Sequence, residues 1–522
     1  MDDGSEEVAE STMQRMTGID PMFVYSDTPH TPMEIAYVCV FDPSTAADAY
    51  SFARVRAVVE TRLPVVPPFR RRLMTVPLGL DSPRWVDDPE FDLTNHLYRA
   101  ALPPPGGPEE FTALVAEVMG RPLQPGQPPW EMHVIEGLAG GRVGLIAKVH
   151  HSLIDGVAGA ELLARFLDVT SEGSALVKSC SPWVPPRLPS HTKLVTDALP
   201  SMLQSPFRAL RAAREMSRTS VRLARRALDK ATGPVSIPLG APPIFESPVS
   251  ARRAVAFAEL DLGKVRALKE RYGSTVNDVV LAVCSGALRA HLVAHGHEVD
   301  SPLVAVVPVS VRQEEHSDDS GNLLSAMFVP LANDQQTPLE RLRTVTAASS
   351  SAKGQERAVG YGPVANLVAE AIPPVLAKPM IQLGVRSGIM RKLRPGNLMV
   401  SNVPGPSFPL YFAGMELSEL YPLGPVVEGV AVNVTVQSYR DSLFVGINAS
   451  ATTLEDLPDL TRAMVDELTL LSRMAAQSRR QSAAAGGRHH RPSGSAATAP
   501  PVREPRREHS GAPGTDRSAT RS

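Results

Sequence analysis

Apolar positions along the chain follow two periods. Runs at 33–41, 131–138, 142–149 and 254–260 are continuous or alternating, as extended strands require. So are 432–436 and 443–449, and Arg440-Asp441 between them predicts a hairpin turn. Spacing of three and four predicts helices over 52–61 and 111–119, and from Leu262 through Val265, Leu268 and Lys269. Asp261 suits the N-cap of that third helix and Gly273 its stop. Thr275 opens a longer helix with Val279, Val280, Val283, Ala287 and Leu288 on one face. A last amphipathic helix is expected from Asp459 through Met464, Leu468 and Leu471.

At 522 residues the chain exceeds what one hydrophobic core usually supports, so two halves are expected. Residues 1–14 are acidic and expected to be disordered, with no secretory signal. Alternating elements fill 15–170 as an N-terminal lobe. Prolines 182, 185, 186 and 189, a basic helical stretch from Phe207 to Lys230, and prolines 234, 238, 242 and 243 make 171–248 a crossover. A C-terminal lobe is expected over 249–475. Beyond 476, Ser, Arg, Gly, Ala and Pro leave too little apolar surface to offset ordering entropy, so 476–522 is expected to be disordered.

Hydrophobic residues make up 43% of the chain and charged residues 21%, and the net charge is −2. That balance gives no global attraction to nucleic acid. No run reaches the roughly 18–20 apolar residues of a membrane span, and the candidate 369–385 is broken by Pro373, Pro374, Lys378 and Pro379. Cys39, Cys180 and Cys284 lie too far apart for a metal motif and fit a reducing compartment.

Chemistry concentrates at Val149-His150-His151-Ser152-Leu153-Ile154-Asp155-Gly156, where a predicted strand gives way to a helical pattern. A histidine at a strand end can present a ring nitrogen to a cavity, and an unperturbed pKa of about 6.5 lets neutral imidazole accept a proton. Alternation points His150 away from His151. Asp155 suits capping or an ion pair that orients the loop, and Gly156 allows a tight turn. Metal ligation by His150, His151 and Asp155 lacks a third strong ligand in any recognisable motif, so no metal is expected.

The run matches the HHxxxDG signature of acyl-CoA-dependent acyltransferases, and the rest of the chain narrows the match. From about Met16 to about Leu471 it resembles the bacterial wax ester synthase/diacylglycerol acyltransferase family. Met16-Thr17-Gly18-Ile19-Asp20-Pro21-Met22-Phe23, Pro68-Phe69-Arg70-Arg71-Arg72, Pro129-Trp130-Glu131 and Thr275-Val276-Asn277-Asp278 carry the resemblance. So do Pro308-Val309-Ser310-Val311-Arg312, Ser401-Asn402-Val403-Pro404-Gly405-Pro406 and Asn433-Val434-Thr435. Two departures bear on substrate detail: Pro128-Pro129-Trp130 for Pro-Leu-Trp, and Glu34 where the family tends to carry an imidazole.

The resemblance implies an α/β (α+β) fold of two chloramphenicol-acetyltransferase-like lobes with an active-site tunnel between them. It implies that His151 is the general base, with no covalent acyl-enzyme, Asp155 architectural and paired to Arg312, and His150 secondary. Gly156, Trp130, Asn277, Asp278, Arg312 and Asn402 would bind substrate or shape the tunnel, although capping is the simplest role for Asn277 and Asp278 and burial for Trp130. The implied reaction esterifies diacylglycerol, or a long-chain alcohol, with acyl-CoA as co-substrate and no cofactor. Rival readings are a condensation-type acyltransferase using carrier-bound acyl groups, or a weakly active lipid-surface-binding protein. Such acceptors imply a cytoplasmic protein held peripherally at the inner face of the plasma membrane or at lipid inclusions, with the basic stretch 207–230 as the contact.

Overall fold

The computed structural model describes residues 13–153, 165–172, 187–245, without 229–244, and 247–310. It further describes 324–359, 369, 371–389, 396–454 and 456–486. Asp155, Gly156, Arg312 and Cys180 fall outside these residues, as do 1–12 and 487–522.

In chain order the first half contains β1 (Gln14–Arg15), α1 (Asp20–Ser26), β2 (Glu34–Asp42), α2 (Phe52–Arg62), β3 (Arg71–Met74) and β4 (Arg84–Asp87). There follow β5 (Leu97–Ala101), α3 (Pro108–Gly120), β6 (Trp130–Glu136), β7 (Val143–His150) and the long α4 (His191–Leu228). The second half holds β8 (Arg253–Asp261), α5 (Leu262–Tyr272), α6 (Val276–Ala294), β9 (Val304–Ser310), β10 (Leu324–Pro330), α7 (Pro338–Val359) and α8 (Pro374–Arg386). It ends with β11 (Leu398–Val403), β12 (Tyr411–Phe412), β13 (Met415–Leu423), β14 (Val432–Tyr439), β15 (Ser442–Ser450) and α9 (Leu457–Gly486).

Two six-stranded mixed sheets form the frame, with strand orders β12-β13-β2-β7-β6-β5 and β10-β9-β11-β14-β15-β8. A small sheet β1-β4-β3 lies apart from them. β2 and β7 are buried on both faces, which explains why their runs are apolar on both faces apart from the buried pair Glu34 and Lys148. Separate cores grow around Phe41, Ile146 and Trp130 in the first lobe and around Val283, Val434 and Leu471 in the second.

The local signals read from sequence act as caps. Asp261 accepts the backbone N–H of Lys264 at 2.9 Å, and Gly273 closes α5 with φ +64°. β14 and β15 pair antiparallel up to Tyr439 and Ser442, with Arg440 at φ +55° in the turn.

Three findings differ from the sequence reading. β12 and β13 cross into the first sheet, so a segment that follows residue 249 completes the N-terminal lobe. Their alternation matches that of any strand, and nothing local marks which sheet they join. Among the described residues, one helix is long and apolar enough to span a membrane, α6, and 72% of its most apolar window is buried inside the protein. Finally, α9 continues to Gly486, into the segment expected to be disordered. Ala475, Ala476 and Ala483 to Ala485 favour helix intrinsically, without the apolar face on which the expectation relied.

Candidate active site

β7 delivers the two histidines, and the chain turns immediately after them. His151 donates its backbone N–H to the Met33 carbonyl at 2.7 Å, which ties the turn to the start of β2. Its ring stacks on Phe23 of α1, with centroids 4.4 Å apart and planes 19° apart. The His151 side chain lines a cavity of about 240 Å³.

His150 is turned into the wall. The Ser152 backbone N–H donates to its Nδ1 at 3.1 Å, and the Ser152 hydroxyl lies 2.6 Å from the same nitrogen. This leaves the proton on Nε2, which faces the Asp27 carboxylate at 3.9 Å. Burial, and then the neighbouring His151, push the His150 pKa down to about 3. His150 is therefore neutral at physiological pH and does not reach the cavity.

Both sheets wall that cavity. Ile35, Ala36 and Tyr37 come from β2, and Pro308 from β9. Met399, Ser401, Asn402 and Val403 come from β11, and Asn433 and Thr435 from β14. The end of β13 and the residues after it, Pro422 to Pro425, form one side. Among the described lining residues there is no carboxylate, lysine or arginine. Among the described lining residues His151 is the one imidazole, in surroundings suited to an acyl chain.

A polar clamp fixes this wall. Asn433 Nδ2 donates to the Pro425 carbonyl at 3.0 Å, and Asn448 Nδ2 donates to the Gly424 carbonyl at 2.8 Å. The Thr435 hydroxyl donates to Asn433 Oδ1 at 2.7 Å. Backbone and side chains approach so closely that a Cβ on Gly424 would lie 2.3 Å from Asn433 Nδ2. A Cβ on Gly446 would lie 2.0 Å from the Pro422 carbonyl oxygen.

Behind the histidines, β2 places Glu34 opposite His150, and Lys148 lies fully buried two residues earlier on β7. The Lys148 Nζ lies 2.9 Å from Glu34 and 3.2 Å from Glu131, and it donates to the carbonyls of Val118 and Arg121. The departure at Glu34 thus supplies a counter-ion to a buried ammonium. Burial nevertheless holds the Glu34 carboxyl above the usual range, with Lys148 opposing the shift.

Of the other residues expected at the site, Asn402 lines the cavity and Trp130 does not. Trp130 is 1% exposed, donates Nε1–H to the Phe69 carbonyl at 2.7 Å, and stacks on His96. It anchors the core beneath β7. Asp278 accepts the Thr275 backbone N–H at 2.8 Å and returns its own N–H to the Thr275 hydroxyl, forming a capping box at the start of α6. Asn277 is half-buried and absent from the described lining. Asp155, Gly156 and Arg312 lie outside the described residues. Among the described residues no three His, Cys, Asp or Glu side chains converge as a metal site would need.

Sequence reasoning assigned no role to Phe23, Pro308, Ser401, Asn433 or Thr435, although each falls in a motif that carried the resemblance. Only tertiary contact shows that they meet at His151.

Comparison with known proteins gives the same family from independent directions. Residues 16–280 match the wax ester synthase/diacylglycerol acyltransferase catalytic domain, and residues 320–472 match the corresponding C-terminal domain. A Mycobacterium tuberculosis (strain CDC 1551 / Oshkosh) protein named as a diacylglycerol O-acyltransferase is 35% identical over 86% of this chain and 88% of its own length. The O-acyltransferase WSD of Acinetobacter baylyi is 31% identical over 89% of this chain and 98% of its own. The solved wax ester synthase/diacylglycerol acyltransferase of Marinobacter aquaeolei VT8 superposes with a TM-score of 0.62 at 27% identity, covering 89% of this chain and all of that one. The two-lobed α/β class expected from sequence is the fold this chain shares with it. The chain belongs to the wax ester synthase/diacylglycerol acyltransferase family of acyl-CoA-dependent acyltransferases.

Proposed function

We propose that this protein transfers the acyl group of a long-chain acyl-CoA to the free hydroxyl of diacylglycerol, with His151 as general base. The observation that carries this reading is the placement of His151, alone of the histidine pair, in a cavity between the two sheets whose described lining holds no charged side chain besides that imidazole. His151 accepts the hydroxyl proton as the oxygen attacks the thioester carbonyl. The tetrahedral oxyanion then collapses, the carbon–sulfur bond breaks, and the proton passes to the departing CoA thiolate. Neither step needs an acyl-enzyme or a bound cofactor, and Ser152 is occupied with His150.

Both lipids concerned are poorly soluble, so the protein is proposed to work peripherally at the inner face of the plasma membrane or on lipid inclusions. Basic residues near such a surface are each worth roughly 1 kcal/mol, and α4 carries several. Purified protein given labelled palmitoyl-CoA with diacylglycerol or, separately, hexadecanol tests the acceptor by lipid chromatography. Faster label transfer into triacylglycerol is expected. Label only in wax ester would replace diacylglycerol by a fatty alcohol, and label in neither would overturn the reading.

A further inference from the structure

His151 is held at two points, and both belong to one stretch of chain. Its ring stacks on Phe23 of α1, and its backbone N–H donates to the Met33 carbonyl at 2.7 Å. Asp27 stands between the two. It follows α1 directly, about one helical turn beyond Phe23. Its Oδ1 accepts the Met33 backbone N–H at 3.1 Å. Met33 therefore donates to Asp27 through its N–H and accepts from His151 through its carbonyl. The contacts close a ring that runs from Phe23 along α1 to Asp27, Met33, His151 and back. The other carboxylate oxygen lies 3.9 Å from Nε2 of His150, whose Nδ1 fixes the turn at Ser152.

Local structure gives no reason for a carboxylate at this position. A negative charge at the C-terminal end of a helix opposes the helix dipole, and the last turn of α1 carries no basic residue to offset it. The loop that follows has its own ties. Thr31 donates its backbone N–H to the Thr28 hydroxyl at 3.0 Å, and Arg253 of β8 donates to the His30 carbonyl at 2.7 Å. What Asp27 adds is its hold on Met33, the residue that holds the base. Its side chain is 39% exposed and absent from the described lining of the cavity. Shortening it therefore opens no void in the cavity wall.

We propose that Asp27 is a positioning residue for acyl transfer, holding Met33 so that its carbonyl fixes His151 against the Phe23 ring. The effect passes through a hydrogen bond and not through charge. Oδ1 reaches the Met33 N–H, whereas Oδ2 stays beyond hydrogen-bond distance of His150. A misplaced base loses rate without losing substrate, and an error of about 1 Å can cost on the order of 10²-fold. The inference rests on the reading of His151 as general base.

The test compares Asp27→Ala, Asp27→Asn and Thr28→Val with the wild type, all as the full chain. In transfer from labelled palmitoyl-CoA to diacylglycerol, Asp27→Ala should lower kcat roughly 10- to 100-fold, with KM for acyl-CoA changed by less than about twofold. Asp27→Asn keeps an acceptor for Met33 and removes the charge at the helix end. It should recover kcat to within about threefold of the wild type and melt no lower. Thr28→Val loosens the same loop without touching Asp27, so it should lower the melting temperature and keep kcat. A second readout needs no substrate. In protein isotope-labelled at histidine Cε1, the magnetic resonance signal of His151 is assigned by its loss in His151→Ala. That signal should be single in the wild type and in Asp27→Asn, and split or broadened in Asp27→Ala. Wild-type kcat in Asp27→Ala, or an unchanged His151 signal, overturns the proposal. So does an Asp27→Asn protein as slow as Asp27→Ala, which would make the charge the working part. An equal loss of kcat in Thr28→Val also overturns it, because the effect would then belong to the loop as a whole. Absence of acyl transfer by the wild type to every acceptor defeats the functional reading alone, and the His151 signal still decides whether Asp27 holds that ring.

Discussion

Adjacent histidines in one chain need not share a chemistry, because a strand end turns successive side chains to opposite sides. In the sequence, the resemblance singled out His151 and alternation turned His150 away from it. Neither could show that Ser152 would lock His150 or that Phe23 would stack on His151, since both depend on the turn after β7. The His150 pKa of about 3 lies below its unfolded value of about 6.5. Unfolded chains therefore bind the extra proton first, so stability present above pH 6.5 is lost as pH falls toward 3. His150→Asn keeps an acceptor near Nδ1 but cannot titrate. Its melting temperature should fall less steeply than the wild type's between pH 6.5 and 4, and parallel curves would contradict the assignment.

At the scale of elements, caps and turns were the legible part. Asp261, Gly273, Thr275 and the Arg440-Asp441 turn act through neighbours a few residues away, so a local reading finds them. Contacts between strands distant in sequence were illegible, and the site depends on them. Glu34 and Lys148 are 114 positions apart in chain order yet form a buried pair 2.9 Å long. Glu34→Ala leaves the ammonium with Glu131 alone and should cost about 3 kcal/mol in chemical denaturation. Adding Lys148→Met should recover most of it, and no recovery would show that the cost comes from packing. Gly424→Ala forces a methyl against Asn433 and should destabilise by about 1–3 kcal/mol. Because Gly424 and Asn433 both line the cavity at His151, the proposed site, the same variant should lower kcat/KM for acyl-CoA. Unchanged kinetics would remove the clamp from the account of the site.

Across the whole molecule, the exchange of β12 and β13 binds the two halves into one folding unit. The sequence suggested a division near residue 249, because composition shifts there. Sheet membership follows from long-range pairing, which composition does not record. A fragment ending at residue 250 would leave β2 without β13 as its neighbour, an exposed apolar edge prone to aggregation. Expressed alone it should be insoluble, and a soluble, cooperatively melting fragment would show that the first lobe is autonomous.

The central claim is that His151, and not His150, takes the acceptor's proton. It is tested most directly by single-turnover transfer of labelled palmitoyl-CoA to diacylglycerol with His151→Ala and His150→Ala side by side, each checked for a native melting curve. The account predicts a 10²–10⁴-fold loss of rate for His151→Ala and a much smaller one for His150→Ala. A folded His151→Ala protein that transfers acyl groups at the wild-type rate would contradict it.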